Sequence, residues 1–135
     1  IGDKDLPTAI QYLSSACDLG QGNSCGATAL LYRLQTPPNI TKALEYSQRG
    51  CKANDLDSCS QEAFIYTQSP RTDFPKAIEL FRQYCSQNHA KSCFNYAVLL
   101  YNGQGIKADQ RESMRVMNYS CTLGYQEACD VLGQR

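Results

Sequence analysis

From Ala77 to Cys85 the apolar residues recur at helical spacing. Ile78, Phe81 and Cys85 form one row, and Ala77, Leu80 and Tyr84 form another. Asp73 precedes this segment and Pro75 sits just inside its start, where a missing backbone N–H does no harm. Three residues after Cys85 stands Asn88, a residue type that tolerates the left-handed conformation ending a helix. The pattern therefore predicts a helix, a tight turn at Asn88 and a second helix beyond it.

Aligned against itself, the chain repeats this arrangement four times. The cysteines fall as Cys17 and Cys25, Cys51 and Cys59, Cys85 and Cys93, Cys121 and Cys129, eight apart within each pair and 34, 34 and 36 from pair to pair. Ala9, Ala43, Ala77 and Ser113 stand eight before each first cysteine. Gly20, Asn54, Asn88 and Gly124 stand three after it. Ala29, Ala63 and Ala97 follow the second cysteine by four, and Tyr32, Tyr66 and Leu100 by seven. A period of this length fits one helix pair per repeat. The return stretches Gln35–Asn39 and Gln68–Thr72 carry proline, and Asn102–Asp109 carries glycine and is longer, which accounts for the spacing of 36. The expected fold is all-α: an α/α solenoid of about four helix–turn–helix repeats, forming one domain over residues 1–135.

Composition narrows this picture further. Thirteen basic residues balance thirteen acidic ones, so no net field favours nucleic acid or an anionic membrane. Apolar runs reach only a few residues, far short of the roughly 20 needed to span a bilayer, so no membrane span is expected. Eight cysteines in a small chain point to disulfides and an oxidising compartment, secreted or periplasmic. Buried free thiols or metal ligands are the alternatives. Zinc-site spacing is missing, because there is no C-x-x-C and one histidine, so neither metal nor cofactor is expected. The first methionine is Met114, so the chain reads as a processed or excised piece, from which a removed signal peptide would leave no trace.

Each cysteine pair brackets a turn between antiparallel helices packed about 8–10 Å apart. That geometry places the two residues opposite each other, within reach of a bond. The expected pairing is Cys17–Cys25, Cys51–Cys59, Cys85–Cys93 and Cys121–Cys129.

With these motifs in place, the chain resembles Sel1-like repeat proteins, specifically the Helicobacter cysteine-rich protein family. The stretch from Ala9 to Gly20 is similar to that family's A-x-x-Y-x-x-K-A-C-x-L-G helix end, with Ser15 where lysine is usual. Asn102–Asp109 resembles the G-x-G-V-x-x-D loop, with Ile106 for valine; the first two return loops depart from it. The resemblance implies an extracytoplasmic solenoid with one disulfide per repeat, acting as an adaptor for other proteins. It also implies one alternative, weak penicillin binding and β-lactam hydrolysis; an immunity or inhibitor role against one toxin is a further alternative, as a special case of partner binding.

The residues themselves give little support to catalysis. None of the S-x-x-K, S-D-N and K-T-G motifs of serine β-lactamases occurs, and paired cysteines supply no free thiolate. His89 reads as a solvated turn residue, and Gly103-Gln104-Gly105 lacks the lysine–serine ending of a phosphate loop. The sequons at Asn39 and Asn118 carry no weight, since Asn118 falls inside a predicted helix. The chain is therefore expected to bind a protein or peptide partner rather than to catalyse; if it is an enzyme, it is a β-lactam hydrolase. By analogy with tetratricopeptide solenoids, the second helices line a concave groove. Leu30, Phe64 and Val98, with Arg33, Thr67 and Tyr101, should point into it, flanked by Phe94. Packing between helices is the competing role for Phe64 and Phe94.

Overall fold

A computed structural model describes residues 5–133 of the chain. Among these residues it contains helices only: α1 Leu6–Asp18, α2 Gly22–Leu34, α3 Ile40–Lys52, α4 Leu56–Ile65, α5 Phe74–Cys85, α6 Ala90–Asn102, α7 Gln110–Thr122 and α8 Gln126–Val131. They are joined in pairs, giving the expected all-α fold of the solenoid class. Two compact units are recognised, one ending at Ile65 and carrying α1–α4, the other starting at Tyr66 and carrying α5–α8.

Every repeat turns in the same way. The N–H groups of Gly20, Asn54, Asn88 and Gly124 each donate at 2.9 Å to the carbonyl of the first cysteine of their repeat. The next residue reaches one position further back: Gln21 to Ala16 at 3.3 Å, Asp55 to Gly50 at 3.0 Å, His89 to Tyr84 at 3.2 Å and Tyr125 to Ser120 at 3.1 Å. These paired bonds satisfy helix-end carbonyls and require a left-handed residue in the turn. The four turn residues have φ between 65° and 101°, which explains why only glycine and asparagine occupy them.

The second cysteine is the fourth residue of each following helix, so the turn brings it back over the first. The four bonds form as expected, with Cα–Cα distances of 4.6, 4.5, 4.5 and 4.7 Å. Among the described residues no cysteine is free.

The return loops end in a shared cap. The side chains of Asn39, Asp73 and Asp109 accept from the N–H of Lys42, Lys76 and Glu112 at 3.0–3.1 Å. Their own N–H groups donate to the carbonyls of Tyr32, Tyr66 and Leu100 at 2.9, 2.7 and 3.0 Å. Loop sequence varies while both anchors persist.

Small residues fill much of the interior, alongside larger ones such as Ile65, Ile78, Phe81 and Leu99. Ala29, Ala63 and Ala97 are fully buried, as are Ala43 and Ala77, and serines replace large apolar side chains at many contacts. In the first unit Ser58 donates to Asp55 Oδ2 at 2.6 Å; in the second, Ser113 and Ser120 donate to the carbonyls of Ala97 and Ala90 at 2.6 and 2.8 Å. Such hydrogen bonds remove the cost of burying the hydroxyls. Small residues also let helices approach closely. A Cβ on Gly50 of α3 would press into the Ser58 hydroxyl and meet the Gly22 carbonyl oxygen at 2.9 Å.

Candidate protein-interaction surface

The surface is generated by the second helix of each pair. Its alanine row faces inward, so the positions one and four further along must lie towards the edge of that packed face.

In the first unit, Leu30 is 39% exposed on α2. Arg33 lies one turn later, half-buried, with its guanidinium 5.1 Å from the centroid of the Phe64 ring on α4. Phe64 is itself half-buried and sits one turn beyond Ser60. Burial pushes the Arg33 guanidinium below its usual range, and among the described residues no carboxylate pairs with it. Its Nε, the Ser60 hydroxyl and the Gln61 side-chain oxygen are all buried without a hydrogen-bond partner. Tyr32 stacks on Tyr46 at 5.7 Å, so the tyrosine row joins α2 to α3.

In the second unit, Thr67 is half-buried near the start of the loop that follows Tyr66, and Phe94 packs on Tyr125 at 5.2 Å. Phe94 and Val98 both lean on the core cluster around Cys85, Cys93, Ala97 and Met117. Phe94 therefore takes the packing role. Tyr101 is 51% exposed and, with Val98, lines a mostly apolar cavity of about 350 Å³. Asn102, Ser113, Met114, Met117 and Val131 complete that lining, and Met114 and Val131 are exposed. Sequence reading missed these five. Met114 carried a signal: it stands at the register position of Ile10, Leu44 and Ile78. A second cleft of about 350 Å³ lies beside α5, α6 and α7, where Arg82 sits 5.8 Å from the Tyr96 ring centroid.

His89 is not a solvated turn residue. It is the half-buried N-cap of α6, and its Nδ1 accepts from the Ser92 N–H at 3.3 Å and lies 2.7 Å from the Ser92 hydroxyl. A helix start at Ala90 leaves that N–H unsatisfied, and the imidazole supplies the acceptor. Ser92 is fully buried, so the pair offers no hydroxyl to a substrate. Among the described residues no group of three or more His, Cys, Asp or Glu side chains could hold a metal. No described helix is long and apolar enough to cross a membrane.

Comparison with solved structures finds Helicobacter pylori cysteine rich protein B at 25% identity and a TM-score of 0.70, with 95% of each chain covered. A Sel1 repeat protein from Oxalobacter formigenes is 17% identical with a TM-score of 0.79, covering 96% of this chain and 55% of that one. A protective antigen present in uropathogenic Escherichia coli strains, displaying an SLR fold, is 19% identical with a TM-score of 0.74, covering 88% of this chain and 26% of that one. The latter two share the fold alone, and this chain spans about half and about a quarter of their lengths. A search of curated protein sequences finds no match. The Sel1 repeat profile matches residues 2–21, 25–55, 63–89 and 90–125, most of the sequence. The chain belongs to the Sel1 repeat family and is related to the Helicobacter cysteine-rich proteins.

Proposed function

We propose that this chain is an extracytoplasmic scaffold, secreted or periplasmic, that holds a protein or peptide partner against its second-helix faces. Sel1 repeats are protein-interaction scaffolds in general, and the finer reading concerns which residues make the contact. Leu30, Arg33 and Phe64 would do so in the first unit, and Thr67, Val98 and Tyr101 in the second, with Phe94 supporting them from within.

The observation that carries the reading is the split between neighbouring positions on one helix. Ala29 and Ala97 are fully buried, while the adjacent Leu30 and the nearby Tyr101 expose large apolar side chains. A large apolar side chain left partly exposed beside a packed face is suited to contact with another molecule, and tyrosine is prominent among hot-spot residues. The staples support the same reading, since a surface held rigid before binding loses less entropy on association. Four disulfides are consistent with an oxidising compartment.

The test is affinity capture from cell-envelope or host-cell extract with the oxidised protein, compared with Leu30→Ala and Tyr101→Ala. Both positions are exposed, so the variants should fold normally. A partner retained by the wild type and lost with either variant supports the reading. A partner retained equally by all three, or none at all, counts against it.

A further inference from the structure

Arg33 is costly where it stands. A half-buried guanidinium ordinarily takes a carboxylate partner, because removing a charge from water without one is unfavourable. Elsewhere in the first unit Arg49 binds Asp18 at 2.6 Å and Lys42 lies 3.7 Å from Glu45. Arg33 has instead the face of Phe64 and a buried Nε with no acceptor. Ser60, 2% exposed, adds a second orphan one turn from Phe64. Exposed Leu30 lies one turn from Arg33 on α2.

We propose that Arg33 anchors an acidic side chain of the partner: the face formed by Leu30, Arg33 and Phe64 binds a peptide segment in which an Asp or Glu carboxylate meets the guanidinium and a flanking apolar side chain rests on Leu30. This rests on the protein-binding reading and specifies the chemistry of the partner. Stacking on Phe64 holds the planar guanidinium in one orientation, ready for a two-pronged carboxylate contact. Desolvation strengthens that contact relative to a surface pair. A side-chain carboxylate fits better than a chain terminus. Recognition of a terminus uses several free backbone N–H groups, whereas Arg33 stands in the last turn of α2, where backbone N–H groups are engaged in the helix.

The probe is an acetylated, amidated tetrapeptide of leucine, glutamate, leucine and alanine, titrated into the oxidised chain while the Arg33 side-chain N–H resonance is followed by NMR. The same peptide with glutamine, and the glutamine peptide with a free C-terminal carboxylate, are the controls. The glutamate peptide should shift the Arg33 resonance and bind on the order of tenfold or more tighter than the glutamine peptide. Arg33→Met keeps the contact with Phe64 and should erase that preference while leaving the melting temperature unchanged or higher, because an unpaired charge has been removed.

Equal binding of the glutamate and glutamine peptides would overturn the carboxylate anchor and leave the broader reading standing. So would a response confined to the free C-terminal peptide. A melting temperature lowered in Arg33→Met would assign Arg33 a structural role and overturn the proposal as well. The broader reading is judged separately, by the capture experiment with Leu30 and Tyr101 variants.

Discussion

Removing the Cys85–Cys93 bond by the double substitution Cys85→Ala and Cys93→Ala should cost the fold about 3.5 kcal/mol. The bond closes a loop with a separation of eight residues. Loop-closure entropy for so short a loop amounts to about 2.5 kcal/mol at room temperature. Both residues also belong to the core cluster of the second unit, at 8% and 0% exposure, so deleting two sulfurs leaves a cavity costing roughly 1 kcal/mol more. With an unfolding entropy near 2.1 cal/mol/K per residue, the midpoint should fall by roughly 12 °C. The matching pair Cys121→Ala and Cys129→Ala removes a loop of the same length, but both cysteines are only half-buried and α8 has six residues. Its global midpoint should fall less, and the loss should show as faster amide exchange confined to α8. Thermal melts by circular dichroism, followed by hydrogen exchange, measure both effects. Equal drops for the two variants, or a loss below about 1 kcal/mol for Cys85–Cys93, would refute the account of loop closure plus core packing.

Three further substitutions or titrations follow from local geometry. His89→Ala removes an N-cap and should cost about 1 kcal/mol in urea melts, with His89→Asn or His89→Asp restoring most of it; a neutral alanine variant would show that the Ser92 N–H needs no cap. Gly50→Ala would ordinarily stabilise a helix by nearly 1 kcal/mol, yet here it should destabilise by about 1–3 kcal/mol, because the new methyl meets Ser58 and the Gly22 carbonyl; a raised denaturation midpoint would contradict this close approach. Tyr125 is held above the usual tyrosine range, chiefly by burial and then by the charge of Glu127. Its folded state favours the neutral phenol, so its contribution to stability is complete below the unfolded tyrosine pKa and is lost as pH rises through the higher folded value. Ultraviolet titration of the nine tyrosines should therefore show a late-titrating component that disappears in Tyr125→Phe; simultaneous titration of all of them would contradict the burial.

Much of the fold was legible because its determinants are local. A left-handed residue three places after a cysteine dictates where a helix ends, and the paired carbonyl bonds at Gly20, Asn54, Asn88 and Gly124 follow from it. Once the turn is set, the second cysteine has one neighbour to meet, so the pairing could be read from spacing. His89 was misread because a cap is defined by the N–H it accepts from. Asn-His-Ala-Lys looks like a polar turn until the helix is known to start at Ala90. Met114, Met117 and Val131 were missed for a different reason. They come from two first- and second-helix segments far apart in sequence, and only packing brings them beside Val98 and Tyr101. The missing carboxylate beside Arg33 was equally invisible, since a sequence records a charge but not whether an opposite charge meets it.

The most direct test of the central claim is to measure, on one isolated partner, the affinity of the wild type beside a variant carrying Leu30→Asp and Tyr101→Asp, with melting curves for both. The account predicts that binding is lost while the melting temperature barely moves, because both side chains project from already packed helices. Undiminished binding by a folded double variant would contradict it.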